Sequence, residues 1–179
     1  MASIAQRLLD CGAVRFGEFT LTSGATSRYY VDVKAAMTDP DTLRAIAKEM
    51  TVHAQGFDAV AGMELGAVPI ATAVSLEAGL PLMMIRKGER KHGTGNRIEG
   101  PSPDGKRVFV VEDVTTSGGS TVEAVKVLRD AGATVTDASV VVDRESGGVE
   151  ALAAANVTLH PLSTVSQLLD TPEAKEALA

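Results

Sequence analysis

The segment Val108-Phe109-Val110-Val111-Glu112-Asp113-Val114-Thr115-Thr116-Ser117-Gly118-Gly119-Ser120-Thr121 sets two adjacent carboxylates where an apolar run gives way to hydroxyls and glycines. The apolar run reads as a buried strand, and open α/β sheets bind ligands at the C-terminal ends of their strands. Gly118 and Gly119 permit a tight turn, so backbone N–H groups can converge on a phosphate at the N-terminus of a following helix. Hydroxyls on Thr115, Thr116, Ser117, Ser120 and Thr121 add donors. Two acids just before such a loop suit a ligand with a diol beside its phosphate, such as a ribose 5-phosphate. The plainer alternative is an acidic strand end with an ordinary helix cap. A triphosphate P-loop is excluded, because the GxxxxGK[ST] spacing and its lysine are missing, and GxGxxG is absent as well.

A second cluster is cationic. The formal net charge is −6, which argues against general nucleic-acid binding. Yet five of the 17 Lys and Arg fall between Arg86 and Arg97, beside one acid, Glu89. An acidic chain that concentrates cations in one short stretch uses them on a specific anion. The stretch from Gly88 to Gly105 also holds Gly93, Gly95, Gly100, Pro101 and Pro103 and has almost nothing apolar. A structureless loop of that length is uncommon and often functional. It is expected to be a mobile catalytic loop over about 86–105; a tolerated surface insertion is the alternative.

The elements that must hold these groups follow from pattern. Asp58–Gly62, Leu80–Ile85, Arg107–Glu112 and Asp137–Asp143 read as buried strands. Helices are expected from about Val68 to Ala78 and from about Ser120 to Ala131, the latter stopped by Gly132. Strands apolar on both faces and separated by helices indicate a parallel sheet covered on both sides. The first part differs. Ser3 caps a helix to about Leu9, Phe16–Leu21 and Arg28–Val33 look like short strands, and a helix from about Asp41 to Gln55 leads into the core. Residues 1–179 therefore read as a single α/β domain, with about 1–36 forming a small N-terminal hood. No apolar run approaches the roughly 20 residues needed for a membrane span. Cys11 alone cannot form an internal disulfide, which fits a reducing cytoplasm. It reads as a helix-end residue, and His53 and His160, without paired ligand spacing, read as structural.

The motif at 108–121 resembles that of the type I phosphoribosyltransferases. The resemblance implies their fold, a central mostly parallel sheet flanked by helices with a small hood. It also implies that Glu112 and Asp113 hold the ribose hydroxyls of PRPP, while Val114, Thr115, Thr116, Ser117, Gly118, Gly119 and Ser120 wrap its 5′-phosphate. Three further segments are similar to the orotate enzymes of that family. They are Phe19–Gly24 with Ser27–Asp32, then Arg86-Lys87-x-x-Arg90-Lys91-His92-Gly93-x-Gly95, and then Asp143-Arg144-Glu145 at a strand end. The implied activity is transfer of the phosphoribosyl group from PRPP to orotate, giving orotidine 5′-phosphate and pyrophosphate in pyrimidine synthesis.

Orotate carries a carboxylate, and Arg144 can bind it in a bidentate fork, with Thr116 also at the base by resemblance. The alternative for Arg144 is a surface salt bridge with Asp143 or Glu145. Tyr29 and Tyr30 either flank the base or simply pack the hood. Arg86, Lys87, Arg90 and His92 would meet the pyrophosphate, and Lys87, Arg90, Lys91 and His92 would stabilise its charge as it leaves. Mg²⁺ is implied by the pyrophosphate, with no protein ligands visible. A homodimer sharing the loop between subunits is implied too, with no nucleic-acid or membrane partner. The chain departs from the bacterial pattern at Thr22 and Gly66, where that pattern has lysine, and at Arg90. A purine or uracil phosphoribosyltransferase would keep the motif without needing Arg144. A PRPP-binding regulator would lack the basic loop.

Overall fold

Runs of Val, Ala and Ile without polar alternation need cover on both faces, and they form the middle of the molecule. The computed structural model describes residues 2–20, 24, 26–88 and 96–179. Its main sheet is six-stranded in the order β5-β4-β3-β6-β7-β8. β3 (Ala59–Met63), β4 (Leu82–Ile85), β6 (Val108–Thr115), β7 (Asp137–Asp143) and β8 (Thr158–Thr164) run parallel. β5 (Ile98–Glu99) is antiparallel at the edge. From β3 the chain moves outward to β4, then returns to place β6 on the other side of β3. That reversal opens a crevice at the C-terminal ends of β3 and β6, where such sheets take ligands.

The period-2 geometry of the strands sorts their side chains between two cores. Val60, Phe109 and Val111 face α3 (Pro40–His53) and α4 (Ala67–Ala78), meeting Ile46, Met50, Ile70 and Val74. Ala59, Ala61, Val108 and Val110 face α5 (Gly119–Asp130) and α6 (Gly148–Ala154), meeting Val125, Leu128 and Leu152. Phe109 is fully buried, and burying a side chain of that size contributes about 3 kcal/mol.

The N-terminal part builds the hood. Ser3 Oγ accepts the Gln6 N–H and starts α1 (Ile4–Asp10). β1 (Val14–Thr20) and β2 (Thr26–Val31) pair antiparallel, and α2 (Lys34–Thr38) follows. Asp39 caps α3 through the Thr42 N–H at 2.8 Å. Val31, Val33 and Ala36 join the same buried cluster as Phe109 and Val141, so the hood shares the core. α7 (Val165–Leu169) and α8 (Pro172–Leu178) close the chain.

Two segments differ from the pattern read in the sequence. Ile98 and Glu99 form a strand against Met84 and Ile85, and Ile98 is buried. The part of that stretch from 86 to 97 is thus closed by a hairpin stem, and 100–105 lie beyond it. The strand carrying the acid pair also runs on to Thr115, so Glu112 and Asp113 lie within it. No helix among the described residues is long and apolar enough to cross a membrane.

Candidate active site

β6 brings the acid pair to the crevice and α5 supplies the loop beyond it. Gly118 takes φ 80° as the N-cap of α5, and a Cβ there would press on Ala151 and the Gly148 carbonyl. Only glycine meets both demands. Val114 to Thr121 line a cavity of about 190 Å³ at this turn. The first N–H groups of a helix have no partner within it and favour an anion. Thr116, Ser117 and Ser120 are exposed there, whereas Thr115 is buried and its Oγ1 lacks a hydrogen-bond partner among the described residues.

A second cavity of about 220 Å³ adjoins it and shares Ser120. Its lining includes Lys34, Glu64, Gly66, Lys87, Glu112 and Asp113. A Cβ on Gly66 would meet the Asp113 carboxylate, so any side chain there would have to push that carboxylate aside. Asp113 Oδ1 accepts the Val114 N–H at 2.8 Å, and Glu112 Oε1 accepts the Asp113 N–H at 3.1 Å. A larger cleft of about 490 Å³ lies at Arg7, Asp10, Cys11 and Asp39 and is lined by none of these groups. Volume alone does not mark the site.

Burial first, then the charge of Asp113 beside it, pushes the Glu112 carboxyl up to about 8, against a smaller opposing pull from Lys87. A carboxyl raised in the folded state contributes stability fully below its ordinary value of 4.5 and loses it as pH rises through about 8. Glu112→Gln removes that loss. The ligand-free variant should melt with the wild type near pH 4.5 and above it at pH 8.5, by on the order of 1–3 kcal/mol after relaxation and water entry. Parallel Tm-against-pH curves would show that Glu112 ionises as it does in solvent.

The basic segment is held at its root. Arg86 N–H donates to the Arg97 carbonyl at 2.8 Å, and Arg97 Nε and Nη2 donate back to the Arg86 carbonyl at 3.1 and 2.9 Å. Arg97 Nη2 also reaches Glu123 Oε1 on α5 at 2.5 Å. Arg86 Nε pairs with Glu99 at 3.0 Å, while Lys87 lines the acid-pair cavity. The Lys87 N–H donates to Glu64 Oε1 at 2.7 Å. Adjacent residues thus diverge. Arg90, Lys91 and His92, with Thr22, lie outside the described residues.

Arg144 sits beside this site. Its N–H donates to the Thr115 carbonyl at 2.9 Å, next to Thr116. Asp143 Oδ1 accepts the Glu145 N–H, and the Glu145 carboxylate accepts the Ser166 N–H. Both neighbouring acids are therefore engaged with backbone, and among the described residues half-buried Arg144 forms no ion pair with either. Tyr29 packs on the core, whereas Tyr30 is exposed and its ring lies 5.7 Å from Phe19. His53 and His160 stack at 4.2 Å, and His160 Nε2 meets Asp137 at 2.8 Å. That group lies at the start of β7, at the opposite end of the sheet from the acid pair. Cys11 caps the end of α1.

Lys34 and Glu64 reach the site although sequence reasoning assigned them no role. Glu64 directly follows a buried parallel strand, the position where ligands meet such sheets, and that signal could have found it. Lys34 follows the turn after β2 and carried no comparable signal.

Residues 36–171 match the family described as the phosphoribosyl transferase domain. The orotate phosphoribosyltransferase of Methanosarcina acetivorans is 52% identical over 164 residues, covering 90% of this chain and 88% of that protein. The crystal structure of orotate phosphoribosyltransferase from Aeropyrum pernix has a TM-score of 0.82 at 35% identity, covering 93% of this chain and 96% of that one. The Mycobacterium tuberculosis enzyme in complex with PRPP has a TM-score of 0.78 at 30% identity, covering 92% and 96%. With a continuous match from the hood to the last strands, the chain belongs to the orotate phosphoribosyltransferases of the type I phosphoribosyltransferase family.

Proposed function

We propose that this enzyme transfers the phosphoribosyl group of PRPP to orotate through the crevice at the ends of β3 and β6, releasing pyrophosphate. The observation that carries the reading is the pair of joined cavities, one at the acid pair and one at the phosphate turn, sharing Ser120. In this reading the turn from Val114 to Ser120 holds the 5′-phosphate. Glu112 and Asp113 accept the ribose hydroxyls, and Lys87 faces the pyrophosphate. Arg144 and Thr116 take the base, the arginine offering a planar fork to the orotate carboxylate. No protein nucleophile is needed. The ribose C1 becomes cationic as pyrophosphate departs, and fixed cations stabilise the charge that builds on the leaving group.

Mg²⁺ fits the donor set, since Glu64, Glu112 and Asp113 offer hard oxygen ligands around one cavity. Among the described residues no three acids, histidines or cysteines converge into a metal cage, which supports an ion held mainly by substrate oxygens. When bound, it would neutralise charge on the pyrophosphate. A lone free cysteine, Cys11, supports a cytoplasmic setting. Pyrophosphate release with PRPP, Mg²⁺ and orotate, uracil, adenine, guanine or xanthine in turn tests the assignment. Release with orotate alone is expected, and release with a purine instead would overturn it.

Assembly is part of the same reading. We propose a homodimer that shares the catalytic loop, from Arg86 to Gly100, between its subunits. A His92→Ala subunit mixed with an Asp113→Asn subunit would place both defects in one site and neither in the other. After free exchange about a quarter of wild-type activity should return, because half the dimers are mixed and each has one intact site. A silent mixture with verified exchange would mean that each loop serves its own chain.

A further inference from the structure

Among the described residues lining the acid-pair cavity, Lys34 alone comes from the hood. Its backbone is fixed on both sides. Val33 before it and Ala36 after it are buried in the core, the Asp32 N–H donates to the Ala13 carbonyl at 2.7 Å, and the Lys34 N–H donates to Asp32 Oδ1 at 3.2 Å. The amine is much freer. Its side chain is 69% exposed and, among the described residues, pairs with the Asp32 carboxylate alone, at 3.6 Å. A loose surface pair of that kind is worth little, so it yields readily to a better anion.

The charge around the cavity shows why such a cation matters. Glu64, Glu112 and Asp113 face Lys34 and Lys87. A diphosphate entering there meets more acids than cations. The turn between β3 and α4, Glu64-Leu65-Gly66, adds no cationic side chain. Lys87 belongs to the basic segment, whereas Lys34 is mounted on the core.

We propose that Lys34 is a diphosphate-binding residue of this enzyme, its amine leaving Asp32 to contact the pyrophosphate group of PRPP. The inference rests on the PRPP reading given above.

The test compares the wild type, Lys34→Ala and Lys34→Arg by steady-state kinetics, and by calorimetry with pyrophosphate and separately with ribose 5-phosphate, all with Mg²⁺. The alanine variant should raise the KM for PRPP and weaken pyrophosphate by about tenfold, the weight of one charge-assisted contact. Ribose 5-phosphate affinity, the KM for orotate and Tm should stay as in the wild type. Arginine should restore most of the loss, and the difference should shrink in added KCl. Unchanged pyrophosphate affinity in Lys34→Ala would overturn the proposal. So would equal weakening of both ligands with a fall in Tm, which would make Lys34 a structural residue. A wild type that binds neither ligand would instead overturn the PRPP reading itself, and this inference with it.

Discussion

Arg144→Ala raises the KM for orotate by about two to three orders of magnitude and leaves the KM for PRPP within about twofold. The expectation rests on the engagement of both flanking acids by backbone N–H groups, Asp143 with Glu145 and Glu145 with Ser166. The guanidinium is then available to a carboxylate from outside. Its backbone is pinned to the Thr115 carbonyl at the end of β6, so the side chain starts from a fixed point beside the phosphate turn. Removing it leaves the orotate carboxylate desolvated and unpaired, which costs more than the pair itself contributed. Lysine at 144 should recover only part of the loss, because it returns charge without the planar fork. Uracil has no carboxylate and is the control: its weak binding should be alike in wild type and variant. An orotate KM unchanged by Arg144→Ala would remove this residue from the base site.

Asp113→Asn weakens PRPP by about a hundredfold while orotate affinity and Tm hold, measured by calorimetry and thermal melting. The fold tolerates the change because the amide oxygen can still accept the Val114 N–H that Asp113 Oδ1 takes now. What changes is the other half of the group, which lies against Gly66. There a charged acceptor becomes a neutral donor, and a ribose hydroxyl that needs an acceptor loses it. Glu112 does not replace it, since burial, the largest cause of its raised carboxyl, still favours the neutral form once the Asp113 charge is gone. PRPP binding as before would reduce the acid pair to the end of a strand.

The parts of this fold that sequence reveals are those whose physics is local. β7 runs from Asp137 to Asp143 as its mostly apolar residues predict, and α5 stops where Gly132 follows it. β8 is harder to read. Thr158-Leu159-His160-Pro161-Leu162-Ser163-Thr164 alternates weakly and contains a proline, because it is an edge strand with one partner, β7. β5 is two residues long and exists only because Met84 and Ile85 are there to pair with it. The site divides in the same way. Glu112, Asp113 and the phosphate turn are contiguous in sequence and legible. Arg144 is legible too, from its place at a strand end, whereas Lys34 and Glu64 reach the acid-pair cavity from separate elements, and only the fold brings them near. Gly66 shows the limit most clearly: a glycine in place of lysine reads as a lost cation until the Asp113 carboxylate is found against its Cα hydrogens.

The arginine frame at the root of the basic segment makes what it encloses a cassette. Arg86 and Arg97 are joined through backbone and guanidinium, and Arg97 is bolted in turn to Glu123. With both ends fixed, a change of length between them adds a closure-entropy cost of about 0.6 kcal/mol per doubling. A foreign sequence grafted between those two arginines inherits an anchored entrance and exit. One grafted a residue outside them must rebuild the join between β4, β5 and α5.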